Sequence, residues 1–282
     1  MPSAALTTAA PTTAAPTTAA PTTGTPGVGP LLREWRQRAG VSQLDLALRA
    51  DSSARHISFI ETGKTRPSRE MVLRLAEHLD VPVRERNALL VAAGYAPEYP
   101  ESSLDSPALE VLRLGLDRLL AGYDPYPALV LDGTYRVWGA NRGASLLLDG
   151  VAPELLAQPL NAMRITLHPR GLAPRILNFQ EWRGHLLDQM RRQLALLRSE
   201  PLRALYEEVA AYPAPPGGDE RAGERSPLAL PLIVGINGRR LSFLSTIATF
   251  NTPVDVTVSE LALETFLPAD AETARHLAEL AG

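Results

Sequence analysis

Between residues 30 and 95 the apolar side chains recur every three or four positions, which predicts a run of five amphipathic helices. Pro30 suits the first turn of the first helix, and Gly40 suits its end. Ser42 and Ser53 are expected to cap the second and third helices. The side chains predicted to face inward are Leu31, Leu32, Trp35, Leu44, Ala47, Leu48, Ile57, Ile60, Met71, Val72, Leu75, Leu79, Leu89, Leu90 and Val91.

After a short linker that contains several prolines, the pattern of apolar residues changes. Segments with helical spacing then alternate with short apolar runs that predict strands. The Asn237-Gly238 pair between two such runs is the strongest short-range hairpin signal. Helices are predicted over residues 107–121, over much of 141–211 (the longest at about 178–198) and over 270–280. Strands are predicted over residues 128–131, 135–138, 228–236, 240–250 and 254–258. We therefore expect an α+β domain with an antiparallel sheet and helices gathered on one side.

Residues 1–29 are of low complexity and contain no charged side chain. The unit Pro-Thr-Thr-Ala-Ala begins at Pro11 and again at Pro16, and such a segment has too little apolar surface to offset the entropy of ordering. The chain is therefore expected to divide into three segments: a disordered tail over residues 1–29, a helical domain over 30–97 and the α+β domain over 105–282. Residues 213–227 are predicted to form a loop inside the third segment. An extended stalk or interaction arm is the alternative interpretation of the tail.

Composition narrows the class of protein. The chain has no cysteine, which excludes disulfides and thiolate metal sites. No apolar run approaches the roughly 20 residues that span a bilayer, and no signal peptide is recognisable, so a cytoplasmic protein without a membrane partner is expected. The net charge is −3, but residues 31–75 hold nine basic and five acidic side chains. This modest local excess is compatible with attraction to phosphates.

Within the helical domain, residues 42–63 predict two short helices joined by a tight turn, with a polar and partly basic second helix. This arrangement places one helix in the DNA major groove, where Arg55 could contact a guanine and Phe59 a thymine methyl. The predicted DNA-binding residues are Ser42, Gln43, Ser53, Ala54, Arg55, His56, Ser58, Phe59, Lys64, Arg66 and Arg69. The alternative is a small helical bundle that contacts other proteins.

The same segment resembles the XRE-type helix-turn-helix family through the pattern R-x-x-R-x-x-x-G-V-S-Q-x-x-L-A followed by S-x-x-x-I-S-x-I-E-x-G-K-x-x-P-S. The resemblance implies that Gln43 contacts phosphate, that residues 54, 55 and 59 face bases, and that Arg36 pairs with Glu61 to lock the first helix to the third. One departure is clear. Asp51 and Ser52 stand where the family has Gly-Val, so the turn is expected to be slightly strained.

Enzyme chemistry finds little support in the second domain. Its histidines show no metal-ligand spacing, and no nucleophile elbow or phosphate-binding loop is present. We therefore expect no catalytic residue, no metal and no cofactor. An apolar pocket is a better expectation for a sheet that faces helices. The candidate ligand-binding residues are Trp138, Asn141, Met163, Arg164, Leu167, His168, Trp182, Phe243 and Phe250, with Ile165 beside them. The apolar ones could equally be plain core, Asn141 a helix cap, and Arg164 a surface residue.

Nearly the whole chain after residue 29 resembles the MmyB-like transcriptional regulators of actinomycetes and related bacteria. The matching stretches include DPYPALVLDGTYRVWGAN, LHPRGLAPRILNFQEW and LSFLSTIATFNTPVDVTVSELALETFLPAD. The resemblance implies a PAS-like α+β sensor domain behind the all-α, five-helix DNA-binding domain, and some members of the family are associated with fatty-acid-like ligands.

The leading hypothesis is a transcriptional regulator that responds to an apolar small molecule, with a fatty acid as the implied example. A homodimer would bind a double-stranded operator whose half-sites lie about one helical turn apart. A second hypothesis is a constitutive DNA-binding regulator whose C-terminal domain serves only dimerisation or protein contacts. A third is an enzyme fused to a DNA-binding domain. A closed core would favour the second, and a pocket with convergent titratable groups would favour the third.

Overall fold

The computed structural model describes residues 27–197, 199–215 and 229–281. The low-complexity tail predicted over residues 1–29 therefore lies outside the described residues up to residue 26, as does the predicted loop from residue 216 to 227. The first helix begins at Val28, two residues earlier than Pro30. Pro30 still lies in its first turn, where the missing N–H is not needed.

The predicted five-helix domain is confirmed. Its helices are α1 (Val28–Arg38), α2 (Gln43–Arg49), α3 (Ala54–Glu61), α4 (Arg69–His78) and α5 (Val83–Ala92). Serine side chains cap three of them: the hydroxyl oxygens of Ser42, Ser53 and Ser68 accept hydrogen bonds from backbone N–H groups three residues on. These caps satisfy N–H groups that have no partner inside the helix, and they fix where each helix begins.

Most of the predicted inward-facing residues form this domain's core, but three do not. Leu44, Leu48 and Val91 are 59%, 71% and 56% exposed. In α2 the buried pair is instead Leu46 and Ala47. Two positions along a helix are about 200° apart, so burial of Leu46 turns Leu44 and Leu48 outward. The sequence prediction for these three residues is wrong. Apolar residues lie on both faces of α2, and on α5 Leu89 and Leu90 are buried while the adjacent Val91 faces outward.

A close backbone contact fixes α1 against α3. A Cβ atom built on Gly29 would lie 2.5 Å from the carbonyl oxygen of Ile60 and 2.8 Å from that of Glu61. Any side chain at this position would collide with backbone atoms, which cannot give way as a flexible side chain can. Gly29 therefore sets how closely the first helix approaches the end of the third.

The second domain is built on a five-stranded antiparallel sheet, and the predicted PAS-like α+β class is confirmed. The strands are β1 (Ala128–Leu131), β2 (Val137–Ala140), β3 (Leu232–Ile236), β4 (Arg239–Thr249) and β5 (Ala262–Pro268). The helices are α6 (Glu110–Tyr123), α7 (Arg142–Ser145), α8 (Ala162–Leu167), α9 (Phe179–Leu196), α10 (Glu200–Ala210), α11 (Val256–Glu260) and α12 (Ala271–Ala281).

The strand order is β2-β1-β5-β4-β3, so the last strand in the chain lies between two hairpins. The predicted hairpin at Asn237-Gly238 is confirmed, with positive φ values of 49° and 75° at the two turn residues. The prediction of a strand over residues 254–258 is wrong, because residues 256–258 belong to the helix α11. Its β-branched residues favour a strand, but Asp255 accepts hydrogen bonds from the backbone N–H groups of Thr257 and Val258 and starts a helix.

Helices cover both faces of the sheet, so the prediction that they gather on one side is wrong. One face packs with α8, α9 and α10 around a core that contains Phe179, Trp182 and Phe243. The other face packs on α6, where Leu116 and Leu120 lie among Ala128, Val130 and Leu263. Both faces of β1 and β5 are thus buried, which explains why β1 is a short, almost continuous apolar run.

Candidate DNA-binding surface and ligand cavity

The third helix presents one face to solvent and anchors the other. Ile57 and Ile60 are each 1% exposed and hold α3 in the core. On the outer side, the Arg55 guanidinium lies 5.2 Å from the centroid of the Phe59 ring, and the Lys64 ammonium lies 5.6 Å from it. Both are within the range of cation–π attraction. The predicted base-facing residues Arg55 and Phe59 are therefore adjacent, with Lys64 beside them.

The ion pair implied between α1 and α3 is present. Arg36 donates from Nε to Oε1 of Glu61 at 2.6 Å and from Nη2 to Oε2 at 3.0 Å. Gln43 also donates to Oε2 of Glu61, at 2.8 Å. Burial pushes the pKa of Glu61 upward, but the hydrogen bonds from Arg36 and Gln43 outweigh it and hold this pKa below its usual value. The amide of Gln43, predicted to contact phosphate, is thus already oriented by Glu61.

Two of the predicted phosphate contacts are engaged within the protein. Arg66 donates to the carbonyl oxygens of Ala93 at 2.7 Å and Gly94 at 2.9 Å. Arg69 forms an ion pair with Glu98. These contacts use the positive charges to hold the start of α4 against the end of α5. Of the predicted cations, Arg55 and Lys64 have no ion-pair partner among the described residues.

The other predicted DNA-binding residues frame the same surface. The hydroxyls of Ser42 and Ser53 cap α2 and α3, as described above. Ala54 and Ser58 are partly exposed along the outer side of α3, together with His56. The turn between the two helices contains Asp51 with φ of 48°, the left-handed conformation for which the family pattern uses glycine.

A small apolar cavity lies between the sheet and α8–α9. Its volume is about 100 Å³. Three of the residues named from sequence line it: Met163, Ile165 and Trp182. Its other described lining residues are Leu129, Val137, Ala140, Ala144, Leu147, Leu148, Leu160, Ala162, Thr166, Leu172, Leu186, Leu232, Glu264 and Phe266. None of these described residues is Lys, Arg or His.

The remaining apolar residues named from sequence lie elsewhere. Leu167 and Phe243 are completely buried in the core, and Phe243 packs edge-on against Phe266 at 6.4 Å between centroids. Trp138 is on the α6 side of the sheet, and its indole N–H donates to Oδ2 of Asp132 at 3.0 Å. Phe250 follows β4 and is 37% exposed. These four do not line the cavity.

The polar residues named from sequence are tied into the fold. Asn141 caps α7: its Oδ1 accepts from the N–H groups of Ala144 and Ala128, and its Nδ2 donates to the Tyr126 and Leu120 carbonyls. Such a side chain has little capacity left for a ligand. The helix-cap interpretation of Asn141 accounts for all of these bonds.

Arg164 and His168 belong to a polar cluster on α8 and α10. Arg164 donates to both carboxylate oxygens of Glu208, at 2.8 and 2.7 Å. Tyr212 donates to Glu208 at 2.5 Å, and its ring packs edge-on against His168. The pKa of Glu208 is lowered, chiefly by the hydrogen bond from Arg164. This cluster joins two helices and does not face the apolar cavity.

Sequence reasoning missed Glu264, which among the described lining residues is the one carboxylate of the cavity. Glu264 lies on β5 and points to the same side as Phe266, two residues on. Ser245 donates to its Oε1 at 2.8 Å, and burial raises the pKa of this carboxyl. Residues 262–267 do not alternate between apolar and polar side chains, so no clear signal in the sequence assigned this segment to a strand.

A larger cleft of about 670 Å³ adjoins the cavity and lies between the two domains. The DNA-binding domain contributes residues 80–84 to its wall, and the second domain contributes Tyr135, Gln189 and Gln193. Met163, Leu186 and Glu264 line both the cleft and the cavity. A molecule that fills the cavity and extends past these three side chains would therefore touch both domains.

Direct contacts hold the domains together beside this cleft. Arg84 of α5 donates to both carboxylate oxygens of Glu260 at the end of α11, and to Glu101 at 2.7 Å. The connecting segment is bound on both sides: Asn87 donates to the carbonyl of Tyr99, and Val256 N–H donates to the carbonyl of Pro100.

Comparison with known families agrees with this architecture. Residues 112–280 match the MmyB-like transcription regulator ligand binding domain, and residues 32–86 match the helix-turn-helix family. The first match spans more than half of the chain, so the protein belongs to the family of MmyB-like transcription regulators. It is a DNA-binding transcription regulator with a ligand-binding domain, and both families are regulatory domains rather than enzymes.

Other comparisons add little. One solved structure, an RNA-binding Light-Oxygen-Voltage Receptor, is 14% identical, with 89% of this chain and 62% of that chain aligned. This chain thus spans less than two thirds of that structure, and the TM-score of 0.25 is too low for any conclusion. No curated protein matches the chain. Within the described ranges, no helix is long and apolar enough to cross a membrane, and no group of His, Asp and Glu could hold a metal.

Proposed function

We propose that this regulator binds a specific operator as a homodimer and that an apolar small molecule in the second domain controls its affinity for DNA. The observation that carries this proposal is the apolar cavity that adjoins a cleft walled by both domains. A ligand can shift an equilibrium only if it interacts differently with the two states. A ligand that contacts both domains would interact differently with two arrangements of the domains, because its contacts change when the domains move.

Sequence-specific binding is supported by the outer face of α3. Arg55 is exposed and can reach a base edge, while Lys64 supplies charge without base specificity. The buried Arg36–Glu61 pair fixes α3 on the rest of the domain. This rigid mounting is what a helix needs if its side chains are to discriminate between bases.

Homodimer formation is supported by the outer face of α6. Val111, Leu114 and Leu119 are 84%, 51% and 50% exposed, while the opposite side of this helix packs on the sheet. A row of exposed apolar residues on one helix commonly marks a protein interface. Two such helices packed together would give the two-fold symmetry that a two-fold operator requires.

We test the dimer by sedimentation of the Leu114→Glu variant, with Val91→Glu as the matched control. Val91 is 56% exposed on α5, away from α6. We expect a monomer for Leu114→Glu and an unchanged dimer for Val91→Glu. A wild-type monomer at the concentrations used for DNA binding contradicts this part of the proposal.

A fatty acid is the ligand that the family resemblance implies. Its hydrocarbon chain suits the cavity, whose lining is almost entirely aliphatic and aromatic. Its carboxylate finds no Lys, Arg or His among the described lining residues of that cavity. The apolar class of the ligand is therefore better supported than this particular head group.

The experiment is denaturing extraction and mass spectrometry of the purified full-length protein, together with its Ala140→Phe and Ala195→Phe variants. Ala140 lines the cavity with an exposed side chain, and Ala195 is exposed on α9 outside it. We expect a stoichiometric apolar compound in the wild type and in Ala195→Phe, and its loss from Ala140→Phe. Selection from random DNA with and without that compound then measures its effect on operator affinity. A protein that never carries or binds an apolar compound favours the constitutive regulator instead.

A further inference from the structure

The Glu264 carboxyl has no cationic partner among the described residues. It lies on β5, in the middle of the sheet, and one of its oxygens accepts a hydrogen bond from Ser245. Its Oε2 atom receives no hydrogen bond from any described residue. Its surroundings are apolar on the cavity side, where Met163 and Leu186 lie, and polar on the cleft side, where Tyr135, Gln189 and Gln193 line the wall.

Such an environment is costly for a carboxylate. Charged groups removed from water are normally paired with an opposite charge, since burial alone disfavours the ionised form. Burial accordingly raises the pKa of Glu264. Glu264 is half-buried and its Oε2 atom is reachable from the cleft. A cation placed beside this oxygen would donate a hydrogen bond to it and supply the opposite charge that no described residue provides.

The adjoining cleft carries an excess of negative charge. Its described lining includes five acidic residues, Glu77, Asp80, Asp132, Glu260 and Glu264, and two basic ones, Arg84 and Arg86. Both arginines are already engaged: Arg84 by Glu260 and Glu101, and Arg86 by the carbonyl of Val81. A cleft whose lining has a net negative charge attracts cations.

We propose that the ligand is a cationic amphiphile, whose apolar body fills the cavity and whose amine head pairs with Glu264 at the boundary with the cleft. This inference rests on the ligand site proposed above and names its chemical class. A carboxylate head would instead meet Glu264 as a like charge, which is unfavourable. A hydroxyl head could donate a hydrogen bond, but it would leave the charge unpaired.

The test uses three probes with the same eight-carbon chain: octylamine, 1-octanol and octanoate. Binding of each to the full-length protein is measured by titration calorimetry at neutral pH. The shared chain keeps the apolar contribution constant, so differences report on the head group. We expect octylamine to bind about tenfold more tightly than 1-octanol, and octanoate to bind most weakly.

The variant Glu264→Gln keeps the size of the side chain but removes its charge. We expect it to lower octylamine affinity about tenfold and to leave 1-octanol nearly unchanged. Glu77→Gln is the control, since Glu77 is an exposed acid of the same cleft, and it should change neither. The ranking of probes on the wild type tests the inference even if Glu264→Gln fails to fold.

Different outcomes would contradict the cationic ligand and the ligand site in the second domain. Octanoate or 1-octanol binding as tightly as octylamine, or Glu264→Gln weakening all three probes equally, overturns the cationic ligand but keeps an apolar site. Absence of binding for all three probes overturns the ligand site itself, and the cationic ligand with it.

Discussion

The Arg84 guanidinium of the DNA-binding domain holds both carboxylate oxygens of Glu260, at the end of α11, with distances of 2.5 and 3.0 Å. The hydrogen bond that Arg84 donates to Glu260 is the main reason that the pKa of Arg84 is raised. Both residues also line the cleft between the domains. The contact that joins the domains therefore lies where a bound molecule could disturb it.

The strength of this interdomain pair can be measured by a double-mutant cycle on Arg84→Ala and Glu260→Ala. We expect a coupling free energy of about 0.5–1 kcal/mol, because the geometry is bidentate but both side chains remain partly exposed. The measurement is urea unfolding of the single and double variants. A cycle on Arg203 and Glu200, whose exposed pair is 3.8 Å apart, should give a coupling near zero. Equal values for the two cycles would show that the domain contact is not specific.

Replacing Glu61 with alanine should destabilise the DNA-binding domain by about 3–5 kcal/mol, because Arg36, whose side chain is only 12% exposed, loses its partner. The lowered pKa of Glu61 means that its contribution is present above about pH 4.5, its unperturbed value, and is lost as the pH falls through the folded-state value. Unfolding by urea at several pH values measures both effects. Glu34→Ala, in a more exposed pair with Arg38, is the control and should cost less than about 1 kcal/mol.

Glu264 should show the opposite dependence on pH. Because burial raises its pKa, the wild type loses stability as the pH rises from about 4.5 through the folded-state pKa. We expect Glu264→Gln to be more stable than the wild type at neutral pH, and the difference to shrink as the pH falls toward 4.5. Thermal unfolding across this range measures it. A difference that grows on acidification would contradict the cause given for the shift.

Asp51 adopts a left-handed backbone conformation, with φ of 48°. Glycine reaches this conformation without steric cost, so Asp51→Gly combined with Ser52→Val should raise the free energy of unfolding by about 0.5–1 kcal/mol. Asp80 follows α4 with φ of 50°, and Asp80→Gly gives a second test of the same argument. An unchanged melting temperature in both variants would show that neither turn is strained.

Arg55 and Lys64, the two cations on the proposed DNA-binding surface that have no ion-pair partner among the described residues, should contribute differently to DNA binding. Arg55→Ala should relax sequence preference, with a loss of about 1–3 kcal/mol on the selected operator and little on random DNA. Lys64→Ala should weaken binding to all sequences and lower the salt slope by roughly one unit. Arg66→Ala should chiefly reduce stability, since Arg66 is bonded to the end of α5. Equal losses for Arg55→Ala on operator and random DNA would refute its base-reading role.

The DNA-binding domain could be predicted from sequence because its signals are local. Caps such as Ser53 and the spacing of Ile57 and Ile60 each act within a few residues, and the structure confirms them. The sequence predictions failed where tertiary contacts determine which side chains are buried. Leu44 and Leu48 had the right spacing for burial, but Leu46 is buried in the core of the domain instead.

The ligand site was less accessible to prediction. Residues 254–258 carry stronger strand propensity than residues 262–268, yet the second segment is β5 because it fits between β1 and β4. With that strand unassigned, Glu264 and Phe266 could not be placed on the cavity side. Met163 and Trp182 were found because large apolar residues on adjacent helices are natural candidates for any pocket.

The central position of β5 has a genetic consequence. In the described sheet, β5 pairs with β1 on one side and with β4 on the other, and so it joins the β1–β2 hairpin to the β3–β4 hairpin. It is also the last of these strands along the chain. A nonsense mutation anywhere between the linker and Ala262 would therefore abolish the sheet while leaving every contact within α1–α5 encoded. Such alleles are expected to behave as regulators that have lost their response to signal, and their phenotype should differ from that of a full deletion.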